Sequence, residues 1–218
     1  MKKFAIFDLD GTLVDSIYDL ADCVNTALKA HNLPENTLKE YYSFVGNGME
    51  SLIRTSMKEQ GDNDELYKKV RASFDKEYAL HSNDKTCPYE GISELLGNLA
   101  EKGIKTAVLT NKAEEFVGEI LVKAFPFHNF TFAWGQREGL NRKPSPQGLL
   151  KLIDEAGYTK EDCVYIGDSE VDVETARNAG VDLICVLWGL RSKVQLTEAG
   201  AERLVATATE LLNEILTI

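Results

Sequence analysis

Histidine, cysteine and positive charge are all in short supply in this chain, and no hydrophobic run is long. The three histidines, His31, His81 and His128, fall at no spacing that suits a nucleophile's base or a metal site, which leaves them to surface positions and helix ends. The four cysteines, Cys23, Cys87, Cys163 and Cys185, are scattered with no CxxC pair. Cys163 and Cys185 lie in or beside apolar runs and read as reduced core residues. No apolar stretch approaches the roughly 20 residues of a membrane helix. Met1-Lys2-Lys3 precedes only a short apolar run before Asp8, which does not make a secretory leader. Lys and Arg number 24 against 35 Asp and Glu, a net charge of −11. That balance argues against nucleic acid as a partner, and it obliges any anionic substrate to use a locally positive or metal-loaded site. Internal repeats, low-complexity segments and long linkers are also missing. What remains is a soluble, cytoplasmic reading. The chain has 218 residues, 44% of them hydrophobic, enough for one good core or one core plus a small second domain.

The most informative stretch is Phe4-Ala5-Ile6-Phe7-Asp8-Leu9-Asp10-Gly11-Thr12. Phe4 to Phe7 reads as a strand buried on both faces, as in a parallel sheet. Gly11 lets the chain turn sharply. Asp8 and Asp10 are left at the carboxyl end of the strand, where open α/β sheets bind ligands. Two carboxylates this close repel, and a divalent cation or a division into nucleophile and acid/base relieves the cost. The plainer alternative is that one caps the next helix and the other is solvated.

Four later runs resemble the first: Lys105–Leu109, Thr131–Trp134, Cys163–Ile166 and Leu183–Leu187. Helical patterns over about 91–102, 112–124, 146–157 and 171–179 separate them, with Gly103, Gly157 and Gly180 at the expected C-caps. This alternation predicts an α/β fold with a doubly wound parallel sheet. A short strand near Leu204–Ala206 and an amphipathic helix close the chain. Residues 16–84 break the pattern. They contain no comparable strand, and Asp19–Ala30, Met49–Gln60 and Asn63–Leu80 read as amphipathic helices broken at Pro34 and Gly61. The expectation is a small all-α domain, 16–84, inserted after the first strand of an α/β domain formed by 1–15 and 85–218.

Polar residues of telling types follow the later strands. Thr110 and Asn111 end the second, placed either to donate to a phosphoryl oxygen or to cap the helix beginning near Ala113. Lys143 precedes Pro144 in an extended loop, where it could neutralise an anionic nucleophile or simply be a surface lysine. The fourth strand runs into Gly167-Asp168-Ser169-Glu170-Val171-Asp172. There Asp168 is placed to share a cation with Asp8, and Asp172 lies one helical turn further on. Glu170 and Glu174 read as solvated surface charge.

Together these residues resemble the haloacid dehalogenase superfamily over essentially the whole chain. All four of its motifs occur in order: Asp8-Leu9-Asp10-Gly11-Thr12, Thr110, Lys143-Pro144, and Gly167-Asp168 with Asp172. The resemblance implies a Rossmann-like core with a helical cap of the phosphoglycolate-phosphatase-like branch. It implies Asp8 as a nucleophile forming an aspartyl-phosphate and Asp10 as acid, then base. Mg²⁺ would be held by Asp8, the Asp10 carbonyl and Asp168. Thr110 and the backbone amides around Leu9 would bind the phosphoryl group, and Lys143 would offset charge. Asp172 would orient Lys143 or a metal-bound water from behind. Thr12, where related phosphoglucomutases often carry an aliphatic residue, tilts the reading towards net hydrolysis.

Specificity is expected from the inserted helices. Gly46, Asn47 and Gly48 form the best candidate substrate loop, with a simple inter-helix turn as the equal alternative, and Arg54 is a candidate for a substrate carboxylate. Trp134 and Trp188 read as core. The expectation is a Mg²⁺-dependent phosphatase, monomeric or homodimeric, acting on a small phosphorylated metabolite, 2-phosphoglycolate first. Pyrophosphate, a sugar or nucleotide phosphate, or β-phosphoglucomutase activity are the alternatives, and a phosphate-binding regulatory module is the non-enzymatic one.

Overall fold

Phe4–Phe7 forms β1, whose side chains are all buried, near the middle of a six-stranded sheet in a computed structural model that describes residues 2–218. The other elements of this part of the chain are β2 (Val14–Asp15), β3 (Cys87–Pro88), β4 (Lys105–Ala113), β5 (Phe132–Gln136), β6 (Cys163–Gly167), β7 (Asp182–Val186) and β8 (Leu204–Val205). The sheet order is β5-β4-β1-β6-β7-β8, parallel throughout.

Alternation along the strands divides the core in two. Ala5 and Phe7, with Val108, Val164 and Ile166, pack against residues of Ile92–Glu101, Glu114–Ala124 and Ala208–Thr217. Phe4 and Ile6, with Ala107, Leu109 and Tyr165, pack against residues of Gln147–Glu155 and Glu170–Ala179. Helices therefore cover both faces, which is why the strands read as continuous apolar runs.

The chain divides into two compact units, one made of the residues up to Asp15 with Pro88–Ile218, the other Ser16–Cys87. Numbered along the chain, the second unit holds α1 (Ile17–Ala30), α2 (Leu38–Phe44), α3 (Met49–Ser56) and α4 (Asp64–His81). The first holds α5 (Ile92–Glu101), α6 (Glu114–Ala124), α7 (Gln147–Glu155), α8 (Glu170–Ala179), α9 (Lys193–Ala199) and α10 (Ala208–Thr217). In the helical unit Leu20, Val24 and Leu28 of α1 and Val70, Phe74 and Tyr78 of α4 are buried at four-residue spacing, the stripe an amphipathic helix needs. Among the described residues no helix is long and apolar enough to cross a membrane.

Three differences from the sequence reading have local causes. The helix expected over Met49–Gln60 stops at Ser56, because Lys58 takes a φ of +52° and a 3₁₀ turn follows. Helix α2 was not expected. Only Tyr41 of it is buried, but Thr37 and Glu40 close a reciprocal capping box at its start, a signal present in the sequence. Strand β4 does not end at Leu109; its pairing to β5 slips and resumes at Ala113.

Candidate active site

The carboxyl ends of β4, β1 and β6 lie side by side, and the charged residues of the sequence motifs collect there. The Asp8 amide continues the ladder by donating to Ile166 O at 2.8 Å. Beyond it the amides of Thr12, Leu13 and Val14 all donate to Leu9 O, folding the chain back within one turn. Gly11 has a φ of +85°, and a methyl group there would overlap the Asp168 carboxylate. Glycine is thus required both by the turn and by the approach of β1's loop to β6. Thr12 Oγ1 donates to Asp168 Oδ1 at 3.1 Å and the Leu190 amide to Oδ2 at 2.7 Å. Trp188, half-buried, packs against the core as expected, and it also donates through Nε1 to Thr12 O, tethering the same turn.

Lys143 is buried, not a surface lysine. Its Nζ lies 3.0 Å from Asp8 Oδ2 and 2.7 Å from Asp172 Oδ1, and it donates to the Tyr165 hydroxyl at 2.8 Å. Asp172, fully buried at the start of α8, accepts through Oδ2 from the amides of Asp168 and Ser169 and from the Ser169 hydroxyl. Tyr165 and Ser169 went unnoticed in the sequence because each looked like ordinary strand and cap chemistry.

Burial dominates the electrostatics. It pushes Asp8 up to about 6, against the pull of Lys143 and with help from Asp172 and Asp10. Burial likewise raises Asp168 well above the ordinary carboxylate range, reinforced by Asp172 and Asp8. For Asp172 burial is outweighed by Lys143 and the hydrogen bonds around it, and its carboxyl is held low. Lys143 shows the converse: burial works against its charge, but Asp172 and Asp8 hold it above the usual lysine value.

Asp8, Asp168 and Asp172 each offer an oxygen within 4.8 Å of the others. With all three ionised, the carboxylates against the single Lys143 ammonium leave two negative charges, which a divalent cation balances. Asp172 is already saturated by donors, so Asp8 and Asp168 are the better ligands, and their hard oxygens suit a divalent metal.

The remaining expected residues separate. Thr110 is buried in β4, and its hydroxyl accepts from the Lys112 amide at 3.3 Å; it does not cap α6, whose N-cap is Ala113. The amide and carbonyl of Asn111 exchange hydrogen bonds with the backbone of Lys143, so it holds that loop in place. The Leu9 amide donates to Asp8 Oδ1 at 2.7 Å. Gly46, Asn47 and Gly48 connect α2 to α3 in the helical unit, with Gly48 at the N-cap of α3. The Arg54 guanidinium donates to Glu50, Asp64 and Gly61 O and stacks over Tyr67 in the helical unit. Glu170 is not merely solvated; it forms a two-pronged pair with buried Arg191. A residue that sequence reasoning missed is Lys112, whose Nζ lies 3.0 Å from Asp10 Oδ1.

Comparison with known proteins follows the same lines. Residues 5–186 match the model of the haloacid dehalogenase-like hydrolases. The chain belongs to this family. Among relatives of this hydrolase, a phosphoglycolate phosphatase of Pseudomonas putida is 34% identical over 193 residues, 87% of this chain and 71% of that one. One from Nitrosococcus oceani is 30% identical over 214 residues, 97% and 95% of the two chains. The crystal structure of a candidate phosphoglycolate phosphatase from Lactobacillus delbrueckii subsp. bulgaricus superposes with a TM-score of 0.93 at 34% identity, covering 100% of both chains. Hydrolases of this family act on small phosphorylated compounds in the relatives so named, and the present hydrolase carries the acidic cluster in which a divalent metal fits.

Proposed function

We propose that this chain is a phosphatase that hydrolyses a small phosphomonoester, 2-phosphoglycolate, through a phosphorylated Asp8. The observation that carries the reading is the 3.0 Å pair between Asp8 and buried Lys143, set beside Asp168 and Asp10 at one end of the sheet. The names of the relatives support the substrate.

The side chains divide the work. Lys143 lets the anionic Asp8 approach an anionic phosphoryl group. An Asp8 oxygen bonds to phosphorus as the bond to the leaving oxygen breaks, and Asp10 gives that oxygen its proton. Asp10 then takes a proton from the water that attacks phosphorus, and the Asp8–phosphorus bond breaks to release phosphate. Thr110 is assigned the part of a donor to the phosphoryl oxygens. Asp172, Tyr165 and Ser169 hold Lys143 in line. Asp8, Asp168 and the Asp10 carbonyl would hold Mg²⁺, which when bound withdraws charge from the phosphoryl oxygens. A chain of net charge −11 suits a small metabolite rather than nucleic acid as its partner. The helical unit is assigned the part of a specificity cap.

The test is phosphate release across phosphomonoesters and pyrophosphate, with Mg²⁺ and with chelator, for wild type and D8N. Release from 2-phosphoglycolate that needs both Mg²⁺ and Asp8, with the highest kcat/KM of the panel, is expected. A higher kcat/KM on another phosphate overturns the substrate. No release by folded wild type, or hexose phosphate interconversion without release, overturns the hydrolysis.

A further inference from the structure

Asp8 and Asp10 are two residues apart, and each has its own lysine from a different part of the chain. Asp8 is paired with Lys143. The Asp10 carboxylate is gripped by Lys112, whose Nζ lies 3.0 Å from Oδ1 and 3.3 Å from Oδ2. We infer that Lys112 is a positioning residue that fixes the Asp10 carboxyl group, so that the proton the carboxylic acid carries passes to the leaving oxygen and the carboxylate left behind is held by the Lys112 ammonium.

Two independent features of the fold support this. First, the Lys112 side chain is only 2% exposed and that of Asp10 only 15%. An ammonium so deeply buried is costly unless it is paired, so the contact is built in, not a surface ion pair of passing worth. Second, the backbone is shaped to deliver it. Strand β4 leaves its register after Leu109 and regains it at Ala113, and Lys112 lies in the slipped segment with its amide donating to Thr110 Oγ1. The neighbouring strand makes room: a methyl group on Gly135 would lie 2.6 Å from Lys112 O, so only glycine there admits this path. A carboxylate held by both oxygens loses its rotation about the Cβ–Cγ bond, and a proton donor must sit within about 3 Å of its target.

The inference rests on the proposed role of Asp10, and the experiment separates the two. It compares kcat/KM for 2-phosphoglycolate, whose alkoxide leaving group needs a proton, with p-nitrophenyl phosphate, whose phenolate hardly does. The proteins are wild type, D10N, K112M, K112R and D10N/K112M. D10N is expected to lose about 100-fold or more on 2-phosphoglycolate and far less on p-nitrophenyl phosphate, the usual span of general acid catalysis. K112M is expected to lower the ratio of the two kcat/KM values roughly 10- to 100-fold, the effect of a small misplacement, and K112R to recover part of it. In the D10N background, K112M should change the 2-phosphoglycolate value by less than about 3-fold, because a residue acting through another adds nothing once that one is gone.

The ratio within one variant does not depend on its folded fraction, and K112Q and K112R carry the comparison if K112M fails to fold. Equal losses on both substrates in the Lys112 variants, or full additivity with D10N, overturn the inference while leaving Asp10 as the acid. A D10N variant with no leaving-group split overturns the assignment of Asp10 and this inference with it.

Discussion

A methyl group built on Gly167 would overlap the carboxyl carbon of Asp172. The last residue of β6 is therefore the floor on which the Asp172 side chain rests, and through Asp172 it sets the height of Lys143. G167A should push Asp172 away from the Asp168 and Ser169 amides. Overpacking of this kind costs about 1–3 kcal/mol. The expected outcome is a lower urea midpoint together with a loss of kcat roughly 100-fold, out of proportion to the stability lost.

Asp172 accepts from Lys143, Tyr165, Ser169 and two amides, so D172N turns an amide group onto donors. Breaking one side of a buried pair costs about 3–5 kcal/mol. D172N should lose about 3 kcal/mol in urea titration, while Y165F, which removes a single hydroxyl, should lose about 1 kcal/mol. Comparable losses for the two would argue against Asp172 as the hub.

The two uncompensated negative charges at the site predict a thermal response to metal. Mg²⁺ at 100 times its dissociation constant stabilises the folded state by about 2.7 kcal/mol. For a chain of this size that is a rise in Tm of roughly 5–10 °C. D8N and D168N should lose most of the rise and D172N less of it, since Asp172 is occupied by donors. Scanning calorimetry with Mg²⁺ and with chelator checks this without any turnover.

Acid should loosen the start of α2. The Thr37 amide, the Lys58 ammonium and the Thr37 hydroxyl hold the Glu40 carboxyl down at about 2, below its ordinary 4.5. A group whose pKa is depressed by folding contributes fully above its unfolded value and loses that contribution as pH falls through its folded one. Amide protection in α2 should therefore decline between about pH 4.5 and 2, and E40Q should remove that dependence. Hydrogen exchange followed by NMR reads both.

Much of this molecule could be read from sequence because its signals are local. Phe4–Phe7 and Cys163–Gly167 announce buried parallel strands by being apolar on both faces, and Asp8, Asp168 and Asp172 follow them at fixed distances. The misses have a common cause: they depend on where a backbone goes after the pattern ends. Lys112 points at Asp10 because β4 slips register, and no alternation of residue types encodes a slip. Asn111 carries an amide that suits phosphate as well as a loop, and only the fold shows that it bonds the Lys143 backbone. Of the acidic partners of Arg54, Glu50 lies one turn before it and Asp64 across a loop, where no sequence pattern marks it. Glu170 reads as solvated in the sequence because its partner Arg191 lies beyond the next strand.

The residues around Asp8 come from the ends of β1, β4 and β6 and from the loop before α7, and partners such as Asp10 and Lys112 or Thr12 and Asp168 stand 102 and 156 positions apart. None of these pairs can form until the central strands have associated. A ribosome that has made the first hundred residues has already released Asp8 and Asp10, but neither of their lysines. Such non-local closure slows folding and makes it cooperative. Recovery of activity on dilution from denaturant should consequently trail the return of helical signal, since the helices need only their near neighbours and the carboxylates need nearly the whole chain.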